Sequence, residues 1–180
     1  SASCDVEVRQ SVTGITLDKT SLSLNEGENY IFTATVTPDN AYNKTLKWTS
    51  SNETVATIDE NGKVTARSKG VATIRGEAQD GSGKYRTCSV TVIRLVSSIE
   101  LNKTSLILFT GKTETLTATV SPTDANNTSV SWSSSNTALA TVSSGVVSGI
   151  APGNVTITAT TLDGSGVSAS CDVAVRQSVT

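Results

Sequence analysis

The chain has 180 residues, enough for one large domain or two small ones, and its 14 Lys and Arg against 16 Asp and Glu give a net charge of −2. The basic residues are scattered singly, as at Lys19, Lys47, Lys63, Arg75 and Lys103, which excludes the clustered positive surface of a nucleic-acid binder. No apolar run approaches the roughly 18–20 residues of a membrane span, so neither nucleic acid nor membrane insertion is expected. Histidine, the commonest general base and metal ligand, is absent, and so is methionine. A chain without Met does not begin at its own initiator. Its opening, Ser1-Ala2-Ser3-Cys4, lacks the marks of a signal peptide, and a mature or excised segment is expected.

In chain order, the first element is already a repeat. Residues 1–13 recur as residues 168–180 with one change, Glu7 against Ala174. Residues 1–10 are therefore expected to be the last strand of a preceding repeat, followed by one domain over 11–94 and a second over 95–180. Ile15-Thr16-Leu17-Asp18-Lys19-Thr20-Ser21-Leu22 returns as Ile99-Glu100-Leu101-Asn102-Lys103-Thr104-Ser105-Leu106, a shift of 84 that also carries Thr33-Ala34-Thr35-Val36 onto Thr117-Ala118-Thr119-Val120 and Trp48 onto Trp132. One residue is lost near Asn61. From there the shift is 83, and Asp80-Gly81-Ser82-Gly83 falls on Asp163-Gly164-Ser165-Gly166 and Cys88 on Cys171.

Each repeat reads as strands. Tyr30 to Val36 is expected to form one strand, with Phe32, Ala34 and Val36 on one face and Thr33 and Thr35 on the other, the period of two that marks a half-buried strand. Cys88, Val90 and Val92 alternate in the same way, as do Val155, Ile157 and Ala159. Turn signals at Asn25-Glu26-Gly27, Pro38-Asp39-Asn40, Glu60-Asn61-Gly62, Lys69-Gly70 and Asp80-Gly81-Ser82-Gly83 separate the runs. No helical stripe is present. About seven short strands in roughly 80 residues is the rhythm of an immunoglobulin-like sandwich, and the expected class is all-β, two such sandwiches in tandem.

The ordered string Leu46-Lys47-Trp48-Thr49-Ser50-Ser51-Asn52, Val55-Ala56-Thr57-Ile58-Asp59, Asn61-Gly62-Lys63-Val64-Thr65-Ala66, Gly70-Val71-Ala72-Thr73-Ile74 and Cys88-Ser89-Val90-Thr91-Val92 resembles the bacterial immunoglobulin-like group 2 (Big2) family. The second repeat carries the same string, from Trp132-Ser133-Ser134-Ser135-Asn136 to Cys171-Asp172-Val173-Ala174-Val175. The resemblance covers essentially the whole chain. It implies tandem display on bacterial surface proteins, in adhesins of the intimin and invasin type, or as spacers in secreted glycan-degrading enzymes. It brings no catalytic residues.

The candidate residues are few. Cys88 and Cys171 point inward with two valines each and lack a facing cysteine. They are expected to be buried free thiols acting as small apolar groups. Trp48 and Trp132 are expected to be the large core residue of each sandwich. An exposed sugar-stacking platform is the alternative. Asp59-Glu60-Asn61-Gly62 begins like a calcium loop, but the closing Glu of that motif falls at Gly70, and a turn is expected. Without His there is no triad to assemble. No enzyme activity, metal or cofactor is expected.

The expected function is a non-catalytic extracellular spacer of a bacterial surface or adhesin-like repeat protein, its partners the neighbouring immunoglobulin-like repeats. About five residues between domains predict a semi-rigid array. Two other classes stay open. One is an adhesive module for glycan or a host surface protein. The other is a filament subunit that donates its first strand, with Cys4, Val6 and Val8 as the apolar stripe that docks in trans.

Overall fold

A computed structural model describes residues 3–5 and 7–178, and it contains strands, turns and no helix. The chain divides into two compact units, Ser1–Arg94 and Leu95–Thr180.

The first unit holds β1 (Gly14–Leu17), β2 (Ser21–Asn25), β3 (Asn29–Ile31), β4 (Ala34–Thr37), β5 (Leu46–Ser50), β6 (Ala56–Ile58), β7 (Lys63–Ala66), β8 (Gly70–Ala78) and β9 (Tyr85–Ile93). One sheet has the order β2-β9-β8-β5, with β2 parallel to β9 and the other pairs antiparallel. The opposing layer is β3-β7-β6, extended by the two-stranded ribbon β1-β4. The inward residues close into a main core, Leu24, Phe32, Val55, Ala56, Val64, Ala66, Ala72, Ile74, Cys88, Val90 and Val92, and a second cluster of Val12, Ile15, Val36, Ala41 and Ala78 that includes the inward residues of the β1-β4 ribbon.

The second unit repeats the plan. It holds β10 (Ser98–Leu101), β11 (Ser105–Phe109), β12 (Thr113–Thr115), β13 (Ala118–Ser121), β14 (Val130–Ser134), β15 (Ala140–Ser143), β16 (Val146–Gly149), β17 (Gly153–Thr161) and β18 (Ser168–Arg176). The sheets are β11-β18-β17-β14, β12-β16-β15 and β10-β13, and β11 again runs parallel to its terminal partner β18. Its core is Leu108, Leu116, Ala140, Val147, Val155, Ile157, Cys171, Val173 and Val175.

Among the described residues each unit has nine strands where about seven are expected, because two of them break. The run Tyr30–Val36 is not one strand. It ends as β3 at Ile31, passes the buried Phe32, and restarts as β4 at Ala34. The cause is Asp18, at the matching break between β1 and β2. Its amide donates to the Thr33 carbonyl, its carboxylate accepts from the Thr33 amide at 3.1 Å, and the Tyr30 hydroxyl donates to it as well. A side chain that takes ladder groups offers the backbone an alternative to pairing. Both strands therefore change partners there, β1 pairing with β4 and β2 with β9. Asn102 does the same in the second unit, accepting from the Thr117 amide at 2.9 Å.

The lost residue near Asn61 has a structural meaning. In the first unit Asp59 and Lys63 flank a three-residue loop, with Asp59 Oδ1 accepting from the Asn61 and Lys63 amides and Gly62 at φ +77°. In the second unit Ser143 pairs with Val146, leaving only Ser144 and Gly145, at φ +48° and +83°. Both central residues are left-handed, the requirement of the tightest hairpin turn, which favours Asn-Gly. A serine there carries the steric cost of a Cβ at positive φ. Ser144→Asn is expected to stabilise the second unit by about 0.5–1 kcal/mol, raising its melting temperature by a few degrees while the first unit's transition stays fixed. An unchanged second transition in calorimetry would show that Ser144 carries no strain.

Candidate functional site

Cys88 and Cys171 are fully buried free thiols, central in β9 and β18. Burial away from water pushes both thiols above their ordinary range, which disfavours the reactive thiolate. Cys4 and Val8 are exposed, Val8 by 91%, and Val6 lies outside the described residues. Ser3–Asp5 and Glu7–Arg9 form no strand in this chain. The physical reason is that β9 and β18 already fill the final-strand position of each sandwich. The segment first engages the unit at its end: the Arg9 guanidinium lies 3.6 Å over the Tyr42 ring and the Tyr42 amide donates to the Gln10 carbonyl at 2.8 Å. Among the described residues no group of three His, Cys, Asp or Glu side chains is placed to hold a metal ion. Asp59, the start of the expected turn, spends its Oδ1 on the amides of that turn.

Trp48 and Trp132 are half-buried and pack on the rims of the two cores. The Trp48 indole stacks on Phe32 at 5.8 Å and 16° and lies opposite Gly76 in register. A Cβ at Gly76 would stand 2.9 Å from Trp48 Cζ3. In the second unit Leu116 replaces Phe32 and Ala159 replaces Gly76, again opposite the Trp. The two changes offset one another, a smaller residue on one side of the indole and a larger one on the other, as close packing demands. Gly76→Ala alone is expected to cost about 1–3 kcal/mol by overpacking, and combining it with Phe32→Leu should recover about 1 kcal/mol or more relative to the sum of the single variants. Additive effects in denaturant melts would mean that the two positions do not share the indole.

The segments that lead into each unit, and the one that leaves the first, are held by charge. After β9, the Arg94 Nε donates to both carboxylate oxygens of Glu26 at 2.8 and 2.9 Å, and Glu26 also accepts the Lys69 amide at 2.7 Å. Two residues on, the Val96 amide donates to Asp163. Its counterpart is the Val12 amide, which donates to Asp80 Oδ2 at 2.6 Å. Both valines are 2% exposed, so the carboxylate fixes the backbone just where the side chain enters the core. Asp80 and Asp163 open the two Asp-Gly-Ser-Gly turns and also accept the amides of Ser82 and Ser165 at 2.9 and 3.0 Å. Reading these segments as turns misses this second role. The signal available in the sequence is the aspartate kept at the same place in both copies.

These hydrogen bonds favour the charged carboxylate. The Ser165 hydroxyl, followed by the Val96 and Ser165 amides, lowers Asp163 to about 2, and Asp80 is lowered in the same direction, chiefly by Ser82 and Val12. A folded pKa below the unfolded 3.8 means that this stabilisation is complete above pH 3.8 and is lost as pH falls toward 2. The second unit's melting temperature should therefore drop through that window, and Asp163→Asn should flatten that part of the profile. Identical slopes for both proteins would remove Asp163 from the acid response.

The outer face of the second unit's larger sheet carries a groove of about 880 Å³, lined in part by Ser105, Ile107, Asn154, Thr156, Asp172 and Arg176. The register sets these in rows: Ser105 beside Asp172 and Thr156, Ile107 beside Ala174 and Asn154, and Phe109 beside Arg176. The Thr156 hydroxyl donates to Asp172 Oδ1 at 3.1 Å. Ile107 and Phe109 are 57% and 46% exposed.

Known proteins place the chain. The model of the bacterial Ig-like domain (group 2) matches residues 11–88 and again 95–171. An uncharacterized protein of Clostridium acetobutylicum is 40% identical over 162 residues, 89% of this chain and 17% of that protein. An Ig-like virion protein of Serratia phage KSP90 is 32% identical over 143 residues, 77% of this chain and 55% of that protein. The chain thus spans about a sixth and about half of these two relatives. Among solved structures, Sidekick-1 immunoglobulin domains 1–4 align over 94% of this chain and 50% of that one, with a TM-score of 0.56 at 10% identity, a likeness of fold. With nine-strand sandwiches built on the same Trp, Gly and Cys positions in both halves, the chain belongs to the bacterial Ig-like domain group 2 family, as two tandem copies.

Proposed function

We propose that the chain is a non-catalytic spacer in an extracellular repeat protein displayed on a bacterial surface, where it holds other elements at a set distance. One observation carries this reading: Leu95 is the only residue between two anchored ones, Arg94 on Glu26 and Val96 on Asp163. A connector held at both ends has little torsional freedom to spend, and short connectors in general leave little. The match of residues 1–13 to 168–180 supports reading 1–10 as the last strand of a preceding repeat, and the Val12 amide on Asp80 repeats the second half of the joint there, with Gln10 in the place of Arg94. The family's tandem copies fit that role.

The test is the freedom of the joint in solution. Amide ¹⁵N relaxation of the whole chain is expected to give one shared tumbling time for both units, and Glu26→Gln with Asp163→Asn is expected to separate the two values while both units stay folded. Independent tumbling in the unaltered chain would remove the spacer reading. Adhesion is a second reading, supported by the groove of the second unit.

A further inference from the structure

The two units share a scaffold but not an outer face. At the groove positions of the second unit, the first unit has Ser23 for Ile107, Asn25 for Phe109, Val71 for Asn154, Ser89 for Asp172 and Ile93 for Arg176. The exchange runs in both directions. Two polar residues, Ser23 exposed and Asn25 partly buried, become apolar on β11, and an apolar residue, a serine and another apolar residue become an amide, a carboxylate and a guanidinium on β17 and β18. None of these side chains enters a core cluster, so packing does not account for the change.

The new set has a particular chemistry. Asn, Asp and Arg carry planar polar groups, each able to engage two neighbouring oxygens at once. Ile107 and Phe109 supply an apolar strip alongside. Planar polar groups beside an exposed apolar strip suit a saccharide, which presents hydroxyls at its rim and C–H groups on its faces. Asp172 and Arg176 are four residues apart on one strand, about 13 Å, the span of two to three sugar units. The charges are therefore at opposite ends: the Asp172 carboxylate, with Thr156, accepts hydroxyl hydrogens at one end, and Arg176, the register partner of Phe109, suits an anion at the other. We propose that the β11-β18-β17 face of the second unit binds a short oligosaccharide whose terminal residue bears a carboxylate, with that carboxylate on Arg176, the neutral residues over Ile107 and Asn154, and the far hydroxyls on Asp172.

The probe is 3′-sialyllactose, a trisaccharide in which a neutral disaccharide carries a terminal acidic sugar, titrated into the ¹⁵N-labelled full chain with lactose and an acidic hexapeptide as comparisons. Binding is expected to shift amides of β11, β17 and β18 and to leave β2, β8 and β9 of the first unit in place. Arg176→Gln is expected to weaken binding about tenfold or more, the loss of one charge-assisted hydrogen bond. Asp172→Asn is expected to weaken it less, and Ile107→Ser with Phe109→Asn, which restores the first unit's residues, to abolish it. All these positions lie on the outer face, and unchanged melting of the second unit confirms that the variants fold. Equal affinity for lactose would overturn the role of Arg176. Shifts produced by the acidic peptide and not by the saccharide would overturn the ligand class. Shifts confined to other strands, or none at millimolar saccharide, would overturn the site.

Discussion

Everything in each sandwich is attached to one antiparallel pair of nine-residue strands, β8 with β9 and β17 with β18. Each pair is held over eight register positions. Their inward side chains, Ala72, Ile74, Cys88, Val90 and Val92 in one unit and Val155, Ile157, Cys171, Val173 and Val175 in the other, are at most 4% exposed. A slip of one residue would turn all of them outward and bring serine, threonine and charge into the core, so the register is fixed by the alternation itself. The remaining strands bind to this pair at its edges or pack across from it. With aromatics at 4% of the chain, the interior is filled mainly by Val, Ile, Leu and Ala, with one thiol per unit and the buried Phe32 ring, and a sandwich this thin depends on continuous close packing.

The tryptophan sites show how such a core tolerates change. The two halves of the chain amount to a pair of variants on one backbone, Phe with Gly around one indole and Leu with Ala around the other. Each half keeps the slot filled by a different division of volume. The same comparison explains the turn between β15 and β16, where a missing residue is absorbed by moving Ser144 into a conformation that Asn or Gly adopts more readily.

How much of this is legible in the sequence depends on whether a feature lies in the period of a strand or in a contact between distant residues. The inward set Cys88, Val90 and Val92 and its counterpart are plain from alternation, and the repeat boundaries follow from the 84- and 83-residue shifts. The break at Phe32 is not legible, because the alternation of Tyr30 to Val36 continues through it without interruption. What breaks the strand is Asp18, fifteen residues from Thr33 in the chain. The clamp at the connector is hidden for the same reason: Asp80 and Val12 are 68 residues apart, and an aspartate before glycine reads first as a turn. The groove needs the lateral register of β11, β18 and β17, which places Phe109 beside Arg176 although the two are far apart in the chain.

The first and last long strands of each unit, β2 with β9 and β11 with β18, lie side by side and run parallel over five positions. Tension entering at one end of a unit and leaving at the other draws these two strands in opposite senses along their shared axis. The interstrand hydrogen bonds are then strained together, in shear. A hairpin pulled from its open end would peel, one bond after another. Parallel placement of the terminal strands thus makes the direction of pull, and not only the number of bonds, set how each sandwich yields.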